Sequence, residues 1–247
     1  MEVLAPAGSK DSLKAALSGG ADAVYLSGKM FGARRFAPNF SESEIKGAIQ
    51  AAHDRGVKVY VTVNTLVKQS ELPHAFSYLD TLSSIEADAV IVQDRGLMRM
   101  IKDNFPLAIH ASTQMGVHSV EDAQWVRDMG AERAILAREL SLPEIESIAR
   151  EGGTGTEVFI HGALCYCFSG QCLFSSLLGG RSGSRGMCAQ PCRKRYSQAG
   201  ETSFALSTAD LFCADSIPEL MRMGVDAIKI EGRLRSPAYV YLAAKAY

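Results

Sequence analysis

Long apolar runs are missing from this sequence, and none reaches the roughly 18 residues that a membrane-spanning helix needs. The start, MEVLAPAG, also lacks the basic segment and apolar stretch of a secretory leader, so a cytoplasmic location is expected. Net charge is nearly absent, at -1, which removes any global pull toward nucleic acid or membrane; an RNA-binding surface would have to be a local patch. His-Glu-x-x-His and Gly-x-Ser-x-Gly do not occur, which leaves neither a zinc-protease helix nor a serine-hydrolase elbow. Cysteine is absent before residue 165, and all six cysteines then fall between Cys165 and Cys213. In a reducing compartment such clustered thiols are free, metal-bound or catalytic rather than paired as disulfides.

What is present is a chain of 247 residues, 47% apolar and 21% charged, enough for one sizeable core and one domain over 1–247. Short β-branched runs alternate with amphipathic stretches that end in Gly, the pattern of repeated βα units around a parallel sheet. Strands are predicted at Val3–Ala5, Ala23–Leu26, Lys58–Asn64, Ala89–Gln93, Ala108–Ala111, Arg133–Ala137, Glu157–Ile160 and Ala227–Glu231. A weak repeat supports them: Gly20-Ala-Asp-Ala23, Glu86-Ala-Asp-Ala89, Gly130-Ala-Glu-Arg133 and Gly224-Val-Asp-Ala227 each read as a helix exit followed by strand entry. Ser41 and Ser141, each three residues before a Glu, have capping-box spacing at helix starts, and Ser119 opens a helix in the same way. The fold expected is α/β, a parallel (β/α)8 TIM-barrel-like architecture.

One connection breaks the rhythm. After the seventh strand, residues 162–213 form a Cys-, Gly- and Arg-rich insertion far longer than an ordinary βα loop, before a helix around Ile217 to Met223. Within it, Arg193–Gln198 and Ser203–Ser207 around Ala199-Gly200-Glu201 read as a hairpin. Such a loop projects from the C-terminal face, where barrel enzymes place their active sites. An iron–sulfur cluster needs about four thiolates converging from a flexible, glycine-rich backbone. Cys165, Cys172, Cys188 and Cys192 suit that role, whereas Cys167, two residues from Cys165, reads as a packing cysteine. Zinc is the alternative metal, but the paired C-x2-C spacing of a zinc ribbon is lacking.

The stretch Glu157 to Ser175 resembles the signature of the U32 peptidase-like family, E-x-F-x2-G-[SA]-[LIVM]-C-x4-G-x-C followed by an aliphatic residue and Ser; only Phe174 departs, standing where an aliphatic is usual. Further matches run along the chain: Leu4-Ala-Pro-Ala-Gly8, Gly20-Ala-Asp-Ala-Val-Tyr-Leu26, Phe31-Gly-Ala-Arg34, His110-Ala-Ser-Thr-Gln114, Gly179-Gly-Arg-Ser-Gly183, Cys188-Ala-Gln-Pro-Cys192-Arg193 and Lys229-Ile-Glu-Gly-Arg233. The resemblance implies an RNA-hydroxylating enzyme that acts on a pyrimidine of tRNA or rRNA, carries a [4Fe–4S] cluster and uses prephenate as co-substrate. It also implies relatives that serve quinone hydroxylation in pairs, hence a protein partner of the same family, and it carries the historical label of collagenase-like peptidase. Cys165, Cys172 and Cys188 match the family's ligands; the fourth is Cys192 or Cys213. The chain ends at Tyr247 inside what reads as the eighth helix, so a trimmed chain or a short family member is the expectation.

If the barrel closes, polar residues at the strand tips converge on one cavity. Glu231, Arg233 and His161 are the candidate catalytic groups: Glu231 as a general base or orienting carboxylate, Arg233 with Arg34 or Arg35 as a clamp for carboxylate or phosphate, and His161 beside the cysteines. Arg34, Asn64, His110, Gln114 and Arg193 are the candidate substrate-binding residues, with Gln93 also at a strand tip. Glu231 and Arg233 equally suit a plain salt bridge sealing the rim. Arg181, Arg185, Arg193, Lys194 and Arg195 make the insertion locally basic, a patch for RNA phosphates. A Cys165–His161 peptidase dyad would compete with a cluster for its thiolate.

Overall fold

Apolar β-branched runs and capped amphipathic segments alternate as the sequence predicts, and a computed structural model describes residues 1–247. The first half runs β1 (Glu2–Pro6), α1 (Lys10–Gly19), β2 (Ala23–Ser27), α2 (Glu42–His53), β3 (Lys58–Val63), α3 (Leu72–Ser84), β4 (Ala89–Val92) and α4 (Arg95–Asn104). It continues with β5 (Ala108–Ala111), α5 (Val120–Asp128), β6 (Arg133–Ile135), α6 (Leu142–Glu151) and β7 (Gly155–Ala163). The insertion holds α7 (Phe174–Gly179), β8 (Tyr196–Gln198), β9 (Glu201–Ser203) and β10 (Asp210–Phe212); α8 (Ile217–Met223), β11 (Ala227–Ile230) and α9 (Pro237–Ala246) complete the chain.

Parallel pairing runs from β1 to β7 in sequence order, then through β11 back to β1, closing an eight-stranded TIM-like barrel. Both faces of each strand are covered, which is why the strands read as continuous apolar runs. Outward residues such as Val24, Val61, Val90, Ile109 and Ile228 pack under the helices, while Leu4, Tyr25, Tyr60, Ile91 and Ile135 fill the barrel interior. The interior is not wholly apolar. Lys229 Nζ lies 2.6 Å from Glu157 Oε1, and Arg133 reaches Glu2 at 2.7 Å and Glu157 at 3.4 Å.

The caps behave as their spacing predicts. The Ser41 N–H donates to Glu44 Oε2 at 2.8 Å and the Glu44 N–H to Ser41 Oγ at 3.3 Å, satisfying two donors that a helix start leaves free. Three of the repeated helix exits use a glycine in the left-handed region; at the fourth, Glu86 adopts φ 60° instead. Several strands end earlier than predicted: β3 at Val63, β4 at Val92, β6 at Ile135 and β11 at Ile230. Asn64, Gln93 and Glu231 thus stand just beyond β3, β4 and β11, at the start of the loops that follow them.

The hairpin is present with a different register. Ala199 and Gly200, at φ 53° and 87°, form a two-residue turn, so Glu201 pairs with Gln198 instead of sitting in the loop. β10 adds antiparallel to the extended tip of β7. β7 and β11 pair with a shift: Lys229 opposes Phe159, but Ile230 opposes His161, so Ile160 is bulged.

Candidate active site at the barrel mouth

The tips of the strands and the loops after them set a group of charges at the mouth. Arg34, on the loop after β2, places Nη2 3.1 Å from Glu231 Oε1 just beyond β11. Arg233, only 4% exposed, donates to Thr62 Oγ1 at 3.1 Å. Burial works against ionisation of Glu231, but Arg34, Arg233 and then Arg138 outweigh it and hold the carboxyl below its ordinary value. Burial, with Arg34 as a second cause, pulls Arg233 down to about 10, while the Glu231 charge is the main cause that raises Arg34. One carboxylate facing three guanidinium groups leaves a positive site suited to an anion. It also makes Glu231 a weaker base than a free carboxylate.

Asn64 is committed to positioning. Its Oδ1 accepts the Ala33 N–H at 3.0 Å and its amide reaches Ser112 Oγ at 3.4 Å, which fixes the loop that carries Arg34. Gln93, at the adjacent tip, is 7% exposed and its Oε1 has no protein partner. Gln114 sits in a 3-10 turn over Thr113–Met115, half-buried against the insertion: a Cβ on Gly170 would lie 1.9 Å from its carbonyl oxygen. Gly170 has φ 79°, so this crossing of two backbones requires glycine twice over.

Three expected site residues lie elsewhere. His110 points to the opposite end of the barrel, because it lies on β5 one inward step before Ser112, which follows the strand. It packs edge-on against Tyr60 with centroids 4.6 Å apart, and lines a cavity of about 290 Å³ with Lys58, Asp88, Glu132, Arg133 and Asp226. Burial and then Arg133, Lys229 and Lys58 hold it well below the usual imidazole value, so it is neutral. His161 is turned outward by the bulge, since its partner Ile230 belongs to the outer layer. Its Nδ1 is 3.0 Å from the Tyr247 hydroxyl, among Phe212 and Tyr239. Arg193 is spent on the chain: it donates to Ser207 Oγ at 2.9 Å, to the Thr208 carbonyl and to the Leu164 carbonyl at 2.5 Å, clipping the two ends of the insertion together.

The insertion is pinned across the mouth at several points. The Leu66 N–H donates to the Ser184 carbonyl at 3.2 Å, the Arg35 N–H to that of Gly186 at 3.3 Å, and Arg185 forks onto Glu71 at 2.6 and 2.8 Å. Ser169, fully buried, donates its N–H and hydroxyl to Glu139 at 2.8 and 3.0 Å; Glu139 also holds His118 Nε2 at 2.6 Å.

Five of the six cysteines share one neighbourhood within this cap. Burial pushes the Cys192 thiol up, followed by Cys165, with Cys188 and Cys172 adding and Arg193 opposing. Burial, then Cys172 and Cys165, do the same to Cys167. Cys167 therefore lies near Cys172 and Cys165. Cys213 is raised by burial alone and packs against the outer core. Cys188 Sγ accepts from the Gln190 N–H at 3.4 Å and from Ser175 Oγ at 3.7 Å, and Cys188 is the smallest of the influences that raise Arg34. No three of these sulfurs, or other acidic or imidazole groups, are drawn to metal-binding distance. The donor set nonetheless fits a thiolate-bound cluster: soft ligands on a glycine-rich backbone, with N–H and O–H groups directed at one sulfur.

Arg138, Thr62 and the Glu139–Ser169–His118 strut were missed from the sequence. Had β6 been read as ending at Ile135, Arg138 would have stood out as a loop residue over the mouth.

A closed parallel barrel whose seventh strand opens into a cysteine-bearing cap over an arginine-rich mouth is the class of protein seen here. The chain belongs to peptidase family U32, whose model matches residues 8–247. It is 35% identical over its whole length to a protein of Bacillus subtilis named tRNA hydroxylation protein P1, covering 62% of that relative. It is 39% identical over 97% of its length to the 23S rRNA 5-hydroxycytidine C2501 synthase of Escherichia coli, covering 37% of it. The chain thus spans less than two thirds of either relative. The solved structure of the U32 peptidase Mk0906 superposes with a TM-score of 0.64 at 19% identity, covering 93% of this chain and 92% of that one, a likeness of fold.

Proposed function

We propose that the mouth and its cap form an iron–sulfur-dependent site that hydroxylates a pyrimidine of tRNA or rRNA. The observation that carries the reading is the grouping of five thiols in one cap above an anion-binding mouth, with Cys188 close enough to influence Arg34. The names of the two relatives supply the reaction class. Cys165, Cys172, Cys188 and Cys192 would hold a [4Fe–4S] cluster, with Cys192 favoured over Cys213 because Cys213 lies apart from the other thiols. When bound, the cluster supplies one-electron redox chemistry. Arg34 and Arg233, backed by Arg138, would bind the carboxylates of prephenate or a similar anion, and Glu231 holds the two nearest guanidinium groups in place.

A peptidase reading finds less support. His161 faces away from the cap toward Tyr247, and Ser169 donates its hydroxyl to Glu139 instead of His118, so neither forms a nucleophile–base pair.

Nucleoside mass spectrometry of RNA from a strain lacking the gene, restored with wild type or Cys188→Ala, tests the proposal. A hydroxypyrimidine that disappears on deletion, returns with wild type and stays absent with the variant is expected. An unchanged profile, or a colourless anaerobically purified protein with stoichiometric zinc, would overturn it.

A further inference from the structure

We infer that the β8–β9 hairpin is an RNA-binding finger, in which Arg195 and Phe204 form a stacking platform for an unpaired base beside the cysteine cap. The inference rests on the RNA reading above and adds the element that grips the substrate.

Charge is divided unevenly along the chain. Residues 162–213 carry Arg181, Arg185, Arg193, Lys194 and Arg195 against Glu201 and Asp210, a local excess of three positive charges in a protein whose net charge is -1. Several of these charges are already paired: Arg185 with Glu71, Arg193 with backbone carbonyls, and Asp210 with Arg235. Lys194 and Arg195 are exposed and have no ion-pair partner.

The hairpin itself is solvated on both faces, with Ser197, Gln198, Glu201, Thr202 and Ser203 all exposed. Arg195 and Phe204 flank the ladder, each one residue outside the Tyr196–Ser203 pair that ends it, and the guanidinium lies 5.2 Å from the Phe204 ring centroid. Phe204 remains 51% exposed. A two-stranded ribbon has little stability of its own, and an uncovered aromatic ring at its base is an odd place to leave apolar area without a partner.

An arginine stacked on an aromatic ring, flanked by an unpaired lysine, is the chemistry that holds an unstacked base and its phosphate. Position supports the assignment. The hairpin begins just after Cys192, and Arg193 ties that start to the Leu164 carbonyl next to Cys165. A nucleotide on the platform therefore lies one short loop from the thiols, with Tyr166, 55% exposed, between two of them.

Binding of an unmodified tRNA transcript and a 23S rRNA fragment, followed by fluorescence anisotropy across a salt series, tests the inference. Phe204→Ala and Phe204→Leu are each expected to weaken binding about ten-fold, the Leu variant because it keeps apolar bulk but loses the π face. Lys194→Ala should lower the slope of log affinity against log salt by about 0.7, one phosphate contact on a single strand. Unchanged affinity in Phe204→Ala and Arg195→Ala, or wild-type affinity in Phe204→Leu, would overturn the platform. Hairpin-dependent RNA binding without any gene-dependent hydroxynucleoside would sink the proposed reaction and leave this inference standing. A gene-dependent hydroxynucleoside that Phe204→Ala leaves at full level would do the reverse.

Discussion

Glu231 is a single carboxylate asked to balance Arg34 and Arg233, and its position explains much of the chemistry at the mouth. Its folded-state affinity for a proton is depressed, so its contribution to stability is present above the ordinary carboxylate range and is lost as pH falls through the lower folded value. Glu231→Gln should therefore cost about 3 kcal/mol in urea denaturation at pH 7, since it leaves buried guanidinium groups facing each other. The gap between variant and wild type should narrow as pH falls below the ordinary carboxylate range and close only below the lower folded value, where the wild-type carboxyl also becomes neutral. A gap that is independent of pH would show that Glu231 acts by packing alone. At this scale the sequence was a good guide to residue type and a poor one to depth. His110 on β5 and Ser112 just beyond it are two residues apart, yet one lies toward the barrel floor and the other at the mouth.

Among the elements, the barrel strands were legible because each is an apolar run bounded by a capped helix. The cap was legible only as a composition. Its strands β8, β9 and β10 are each three residues long and largely exposed, so no periodicity announces them; only Ala199-Gly200 marks the turn. The outward turn of His161 depends on the shift between β7 and β11, a long-range pairing that no local pattern reveals. What keeps the cap in place is also long-range. Glu139 joins Ser169 in the cap to His118 before α5, and the bond to Glu139 and the Gly116 carbonyl raise the His118 value against the opposing effect of burial. A raised imidazole value means that this contribution is complete below the unfolded value of about 6.5 and fades as pH rises through the folded one. With both side chains about a third exposed, the strut contributes no more than about 1 kcal/mol. Limited proteolysis should accordingly cut the cap faster at pH 8 than at pH 6 in wild type. In Glu139→Gln it should be fast at both, and equal rates in wild type would exclude the strut as a pH-sensitive tie.

For the whole molecule, the charged interior matters as much as the apolar one. Lys229, Glu157, Arg133 and Glu2 form a connected chain of charges within the closed sheet, and burial pulls Lys229 below its usual value. Lys229→Met leaves the fully buried Glu157 with only the longer contact to Arg133 and is expected to cost about 3–5 kcal/mol of unfolding free energy. The double variant Lys229→Met/Glu157→Gln should recover much of that loss in a urea double-mutant cycle; full additivity would mean that the two groups are not coupled. The hydrogen-bonded ring from β1 through β7 and β11 contains no residue between Leu164 and Val225. Chemistry at the thiols and architecture below them are thus separable: an oxidised or stripped Cys165 or Cys188 leaves every bond of the ring intact. On the proposed reading, such damage would disarm the protein without dismantling it, and the ring left behind would still hold the cap where a new cluster is needed.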